Sequence, residues 1–101
     1  MHLKKIDELT EEHFKMIEEM GGTGFPPSEI AEVLQVDTGL FSDVFQQADS
    51  EIFKRYRKGY LLAQLKLRQR IFKDAGHGSS PAQTLAKKIM DDCEYKLKTN
   101  E

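Results

Sequence analysis

The feature that most constrains this fold is a long segment of unbroken helical periodicity, from Asp49 to Ala75. At ~1.5 Å per residue such a helix measures roughly 40 Å, which is long for a small domain. Its apolar residues recur at spacings of three and four, and we expect this row to be buried: Phe53, Tyr56, Tyr60, Ala63, Leu67 and Ile71. Gly59 costs the helix about 1 kcal/mol relative to Ala. Its presence therefore indicates close packing against a neighbouring element.

Shorter amphipathic segments fill the rest of the chain, and none has the alternation of a strand. The expected short helices follow Thr10, run over about 27–35 and 38–47, and restart at Ser80. The serine, proline and glutamine of Ser80-Pro81-Ala82-Gln83 suit a helix start, with Ser80 as the cap. The predicted fold class is all-α. A three-helix cluster over 1–47 precedes an antiparallel hairpin of long helices over 48–101.

The charges divide unevenly along the chain. Residues 1–50 contain 3 Lys+Arg and 11 Asp+Glu, whereas residues 51–101 contain 12 and 6, which gives net charges of −8 and +6. This asymmetry predicts either two electrostatic roles or an acidic surface that meets a basic one. Solvated helix faces in both halves would produce the same pattern.

Composition also sets expectations about location. No apolar run approaches the roughly 20 residues of a membrane span, and the acidic start of the chain is unlike a signal peptide. A single cysteine, Cys93, excludes an internal disulfide framework. We therefore expect a cytoplasmic protein with no membrane partner.

The segment from Glu29 to Phe45 has the packing pattern of a helix-turn-helix. Ala31 is small enough for two helices to approach, Val36 fills the turn, and the remaining core positions are Ile30, Leu34, Phe41 and Val44. Either Leu40 or Phe41 is expected to enter the core. Gln35 stands where a turn glycine is usual in this motif.

The second helix of this motif carries no Lys or Arg. Base and phosphate contacts depend on cations and amides. Its candidate DNA contacts are therefore limited to four polar residues, Thr38, Ser42, Gln46 and Gln47. A scaffold that packs against protein instead of DNA remains an equal alternative.

The long helix is the main basic element. Eight cations precede its first acidic residue after Glu51, and they are Lys54, Arg55, Arg57, Lys58, Lys66, Arg68, Arg70 and Lys73. As a continuous ridge they would contact DNA phosphates without reading sequence. Pairing with the acidic first half, within a chain or between subunits, is at least as strong an alternative, and the sequence pI near 5.9 favours it.

The arrangement resembles the terminase small subunits of tailed phages. The likeness rests on the helix-turn-helix at 29–45, on Tyr56-Arg57-Lys58-Gly59 and on the turn from Phe72 to Gln83, and it covers most of the chain. Those proteins place a helix-turn-helix before a helical-hairpin oligomerisation region and recognise viral DNA for the packaging motor. The resemblance implies double-stranded DNA as a partner and a homo-oligomer.

No residue pattern predicts catalysis, a metal site or a cofactor. The three histidines, His2, His13 and His77, are scattered and form no ligand spacing with Cys93. Cys93 falls on the apolar row of the last helix, where we expect a buried, inert thiol. No small-molecule substrate is expected.

The sequence thus leaves three functions open. The first is a DNA-binding, small-terminase-like phage or prophage protein. The second is an interaction or assembly module on a helix-turn-helix scaffold that does not bind DNA. The third is a dimeric transcriptional regulator, which is disfavoured because the second helix of the motif has no cations to contact bases.

Overall fold

The computed structural model describes residues 3–99, so His2 and the outer ends of both expected domains lie outside the described residues. Between these limits the chain is all-helical, without a strand, which confirms the predicted fold class. A single 3₁₀ turn at Ile6–Glu8 precedes five α-helices: α1 (Glu11–Gly22), α2 (Pro27–Leu34), α3 (Thr38–Phe45), α4 (Glu51–Gly76) and α5 (Ser80–Thr99).

The chain divides into two compact units, with the boundary between Gln64 and Leu65 inside α4. The first unit contains α1, α2, α3 and the first half of α4. The second contains the rest of α4 together with α5. These units are defined by the contacts between residues. The separate domains expected on either side of residue 47 stay a prediction.

One apolar core holds the first unit together. Every helix of this unit contributes a fully buried side chain, namely Ile17, Ile30, Phe41 and Ile52. Phe41 enters the core from α3, and the adjacent Leu40 is 55% exposed. Burying each large aliphatic or aromatic side chain contributes about 1.5–3 kcal/mol, so these residues are the main stabilising contacts of the unit.

The turn between α2 and α3 is held by a buried side chain and by the N-terminal segment. Val36 is buried beneath it, and Gln35 ends α2 in the left-handed region at φ 60° and ψ 44°. The N-terminal segment passes beside it, where the backbone N–H of Lys4 donates to the Gln35 carbonyl at 2.7 Å. Lys4 and Val36 form an isolated parallel bridge. This segment thereby ties residues before α1 to the α2–α3 turn.

Glycines allow α1 and α4 to approach closely. A Cβ atom on Gly59 would overlap the carbonyl oxygen of Glu18, and one on Gly21 would lie 2.6 Å from the carbonyl oxygen of Tyr56. The close packing predicted at Gly59 is therefore confirmed. Gly21 lies within α1 and provides the second half of the same contact.

The buried face of α4 differs from the predicted row. Ile52 and Gly59 are the buried residues of this helix, whereas Tyr60 and Leu67 are exposed. The prediction of those two residues as core was wrong. Leu67 belongs to the second unit, beyond the part of α4 that packs on the helices of the first unit. At the level of Tyr60, the contact with α1 is made by its neighbour Gly59. Cys93 was also expected to be buried, and it is exposed.

In the second unit, a short turn joins α4 to α5. Gly78 adopts φ 96° there. The Ser79 hydroxyl accepts a hydrogen bond from the Ala82 backbone N–H at 3.3 Å, so Ser79 caps α5 and the prediction of Ser80 was one residue late. The Gln83 side-chain amide donates to the Ala75 carbonyl at 3.2 Å, which links the start of α5 to the end of α4.

None of the helices within residues 3–99 combines the length and the apolar character that crossing a bilayer requires.

Candidate nucleic-acid interface

The eight predicted cations of α4 fall into two sets of four, one in each unit. Lys54, Arg55, Arg57 and Lys58 belong to the first unit, and Lys66, Arg68, Arg70 and Lys73 belong to the second. Seven of the eight side chains are exposed, and Arg55 is the exception.

Three carboxylates hold the guanidinium of Arg55. Its Nη1 donates to Glu11 Oε1 at 3.0 Å, and its Nε donates to Glu18. The Glu51 carboxylate lies 3.5 Å away, and the guanidinium carbon lies 5.5 Å from the centre of the Phe14 ring. With its side chain only 16% exposed, Arg55 joins α1 to α4 as a clamp.

These hydrogen bonds favour the charged forms of the groups that make them. Bonding to Glu11, and then to Glu18, raises the pKa of Arg55 above its ordinary value. The hydrogen bond from Arg55 lowers the pKa of Glu11. Since a guanidinium has five N–H donors in a fixed plane, this arrangement leaves Arg55 little capacity for a phosphate.

At Arg55, therefore, the basic segment pairs with the acidic first half inside one chain. From the sequence alone, pairing with the acidic half and binding to DNA phosphates were both possible for the whole basic segment. Glu11 and Glu18 were not identified as its partners, although their spacing of seven residues on α1 places both on one helix face. The role of Arg55 in phosphate binding stays a prediction.

The other cations interact weakly with acidic groups. Lys58 Nζ lies 3.7 Å from Glu18, and Arg70 Nε lies 3.5 Å from Asp74. The Arg70–Asp74 pair is exposed, and exposed ion pairs contribute about 0–1 kcal/mol to stability. Five cations form no ion pair with any other residue in the range 3–99: Lys54, Arg57, Lys66, Arg68 and Lys73.

Each set has its own geometry. In the second unit, the spacing of Lys66, Arg70 and Lys73 places them along one face of α4. Arg68 leaves that row and lines a shallow depression with Ile89 and Cys93 of α5. In the first unit, Arg57 lies with its guanidinium carbon 5.4 Å from the centre of the Tyr60 ring. Each unit thus presents its own group of exposed positive charge.

The polar residues predicted on α3 are less well placed than the sequence suggested. Thr38 is exposed at the start of α3, and Ser42 is half-buried. The helix ends at Phe45, two residues earlier than predicted, so that Gln46 caps it and Gln47 follows it. Both glutamines are exposed. This region therefore presents hydrogen-bonding side chains without positive charge.

Potential metal ligands do not cluster in this fold. Across the described positions, no three His, Cys, Asp or Glu side chains lie close enough together to hold a metal ion. His13 instead accepts a hydrogen bond at Nδ1 from the Thr10 backbone N–H at 2.9 Å, which satisfies a donor at the start of α1.

Comparison with known proteins adds no relative. No family model, curated protein or solved structure matches the chain. Functional interpretation therefore depends on the residues and their geometry.

Proposed function

We propose that the protein binds double-stranded DNA as a small-terminase-like phage or prophage protein that recognises viral DNA for packaging. In this proposal α1–α3 act as a helix-turn-helix cluster, and α4 and α5 form an antiparallel hairpin that assembles subunits. The supporting observation is a group of exposed α4 cations that form no ion pair within residues 3–99: Lys54, Arg57, Lys66, Arg68 and Lys73. Such cations displace condensed counterions from DNA phosphates, which is the main source of sequence-independent affinity.

The contribution of α3 to recognition is small in this proposal. Thr38, Ser42, Gln46 and Gln47 supply hydrogen bonds to bases or phosphates, but no cation reinforces them. Since phosphate contacts carry no sequence information, we expect weak sequence preference and strong salt dependence.

The first prediction concerns salt dependence, measured by fluorescence anisotropy of a labelled duplex between 50 and about 200 mM salt, the range over which phosphate-driven binding weakens steeply. Lys54→Ala/Arg57→Ala and Lys66→Ala/Lys73→Ala each remove two unpaired cations. Each double variant is expected to reduce the slope of log K against log[salt] by about two, at ~0.9 per phosphate contact.

The matched control is Lys87→Ala/Lys88→Ala, which removes two exposed cations from α5. It is expected to leave the slope within about half a unit of the wild-type value, since it removes no proposed phosphate contact. Absence of binding by the wild-type protein at low salt would overturn the proposal. An equal change in the control would show that net charge alone, and no particular surface, sets the affinity.

A second candidate is an assembly module that does not bind DNA. It is favoured by the exposed apolar side chains of the second unit, among them Leu65, Leu67, Phe72 and Leu85. A protein that assembles in solution but leaves the duplex unbound at low salt would support this function over the first.

A further inference from the structure

The second unit has little core of its own. Across its described part, residues 65–99, the only buried side chains are those of Ala82 and Ala86, which belong to the first two turns of α5. Every large apolar side chain in this range is at least partly exposed. A helical hairpin that buries so little apolar surface is marginally stable by itself, because helices in proteins depend on the packing of an apolar face.

The apolar face of α5 becomes uncovered along the helix. Four residues at spacings of three and four share this face: Ala86, Ile89, Cys93 and Leu97. Exposure rises along it, from 8% at Ala86 through the half-buried Ile89 to 74% at Leu97. A depression of about 280 Å³ lies at the exposed end, between Ile89, Cys93 and Leu97 of α5 and Arg68 of α4. The far end of the face is therefore open to a partner.

The same depression holds two charges without a partner. Asp92 and Lys96 line it, and neither forms an ion pair within residues 3–99. The neighbouring charges of α5 neutralise one another in two ion pairs on the opposite side of the helix, Lys87 with Asp91 and Glu94 with Lys98. The open face of α5 thus carries one free carboxylate and one free ammonium group beside its apolar row.

We propose that this face of α5 docks on the same face of α5 in a second copy of the chain, antiparallel and about a two-fold axis close to Cys93. Leu97 of each copy then enters the depression of the other copy, beside Ile89. Since Ile89 and Leu97 each lie four residues from Cys93, the face is complementary to itself in this orientation, as a two-fold contact requires.

The two free charges select the second copy and its orientation. In the antiparallel pair, Asp92 of each copy lies next to Lys96 of the other, so both groups gain a partner. In a parallel pair, Asp92 would face Asp92 and Lys96 would face Lys96, and such like-charge contacts are unfavourable. A foreign surface of a single charge sign would pair with only one of the two groups. A second copy supplies both signs.

This contact deepens the proposed assembly of subunits by the α4–α5 hairpin, on which it rests, and names the partner and the face. A two-fold contact is complete with two copies, so it predicts a dimer. Its docking side chains all belong to α5, and it uses none of four cations assigned to DNA, namely Lys54, Arg57, Lys66 and Lys73. It is therefore measured in the absence of DNA.

The first test is the absolute mass in solution, by size exclusion with light scattering, over a concentration series at low salt. The wild-type chain is expected to form a dimer. Leu97→Ala is expected to raise the dissociation constant at least about tenfold, because each dimer loses two copies of a docking side chain. The matched control is Tyr95→Ala, which removes a side chain of α5 that is 65% exposed. Tyr95 lies two residues from Leu97, on the other side of the helix, so this variant is expected to assemble like wild type.

Charge reversal tests the orientation. Asp92→Lys places cations opposite each other in the antiparallel pair, and Lys96→Asp places carboxylates opposite each other, so each variant alone is expected to dimerise more weakly. A 1:1 mixture of the two is expected to recover the wild-type affinity, because every contact then joins opposite charges. In a parallel pair, neither single reversal would change the number of like-charge contacts. Circular dichroism verifies that the variants keep their helices.

The native thiol reports the position of the axis. Cys93 is the only cysteine of the chain. A short bis-maleimide reagent, which joins two thiols that lie close together, is therefore expected to convert the wild-type protein to a covalent dimer. The yield is expected to fall in Leu97→Ala and to be unchanged in Tyr95→Ala.

Three results would overturn the proposal. A wild-type monomer at all concentrations would mean that no second copy binds. Dimerisation that is unchanged in Leu97→Ala, or lost equally in Tyr95→Ala, would assign the contact to another surface. Single charge reversals without effect would exclude the antiparallel pair. DNA binding fails separately: a wild-type dimer that leaves a duplex unbound overturns the proposed function alone, whereas a wild-type monomer that binds the duplex overturns this contact alone.

Discussion

At the scale of single residues, Gly59 is the position with the least space for an added side-chain atom. Replacing a helical glycine with alanine ordinarily stabilises a helix by about 1 kcal/mol. Here the new Cβ would overlap the Glu18 carbonyl oxygen, which is backbone and cannot rotate away. Gly59→Ala is therefore expected to lower the free energy of unfolding by roughly 1–3 kcal/mol or more, as overpacking does. Chemical denaturation measures this change.

Gly76 provides the control for that prediction. It also lies within α4, and a Cβ added there meets no atom within 4 Å. Gly76→Ala is expected to be neutral or to stabilise the protein by up to about 1 kcal/mol. If Gly59→Ala behaved in the same way, α1 and α4 would not be in close contact in solution.

Gln35 carries a backbone conformation that glycine adopts more easily. A left-handed residue other than glycine is disfavoured by roughly 1–2 kcal/mol. Glycine would remove this penalty, but part of the resulting stabilisation is lost because glycine is more flexible in the unfolded chain. Gln35→Gly is expected to stabilise the protein by roughly 0.5–1 kcal/mol, observed as a higher Tm. Gly24→Ala, at φ 88°, is the converse control and is expected to lower the Tm.

At the scale of helices, the Arg55 clamp between α1 and α4 makes stability depend on pH. The pKa of Glu11 is lowered below its ordinary value of 4.5 by the hydrogen bond from Arg55. The stabilising contribution of Glu11 is therefore fully present above about pH 4.5 and is lost as the pH falls through the lowered pKa in the folded state.

Glu11→Gln tests this dependence. The variant is expected to melt below the wild type at pH 7, and the difference in Tm should shrink as the pH falls from about 5 to about 3. Glu12→Gln is the control, because Glu12 is exposed and forms no ion pair among the described residues. If the difference in Tm between Glu11→Gln and wild type stayed constant with pH, the contact between Arg55 and α1 would not depend on the Glu11 charge.

Helix positions were predicted well because the signals are local. The starts of α1, α2 and α3 agree with the caps and prolines in the sequence, and α4 ends one residue beyond the predicted position. Buried faces were predicted less well. Leu67 has the spacing of a core residue, yet periodicity cannot tell how far along α4 the neighbouring helices extend. Tyr60 shares that spacing, but the buried position beside it is Gly59.

At the scale of the whole molecule, two proposed contacts use different surfaces. DNA binding is assigned to the exposed cations of α4, and assembly to the exposed apolar side chains of the second unit. Because the two surfaces share no residue, each proposal can fail alone. Assembly in solution without DNA binding would leave an interaction module, whereas DNA binding by a monomer would show that assembly is not needed for it.

The sequence by itself determined the all-α class, the helix positions and the core of α2 and α3, because caps, glycines and apolar spacing act within a few residues. It also indicated the close approach at Gly59. Only the tertiary structure decided which cations remain free, because the partners Glu11 and Arg55 are 44 residues apart and no local pattern links them. The same reason explains why the contact of the chain start with the α2–α3 turn, made by Lys4 and Gln35, became apparent only once the chain was folded.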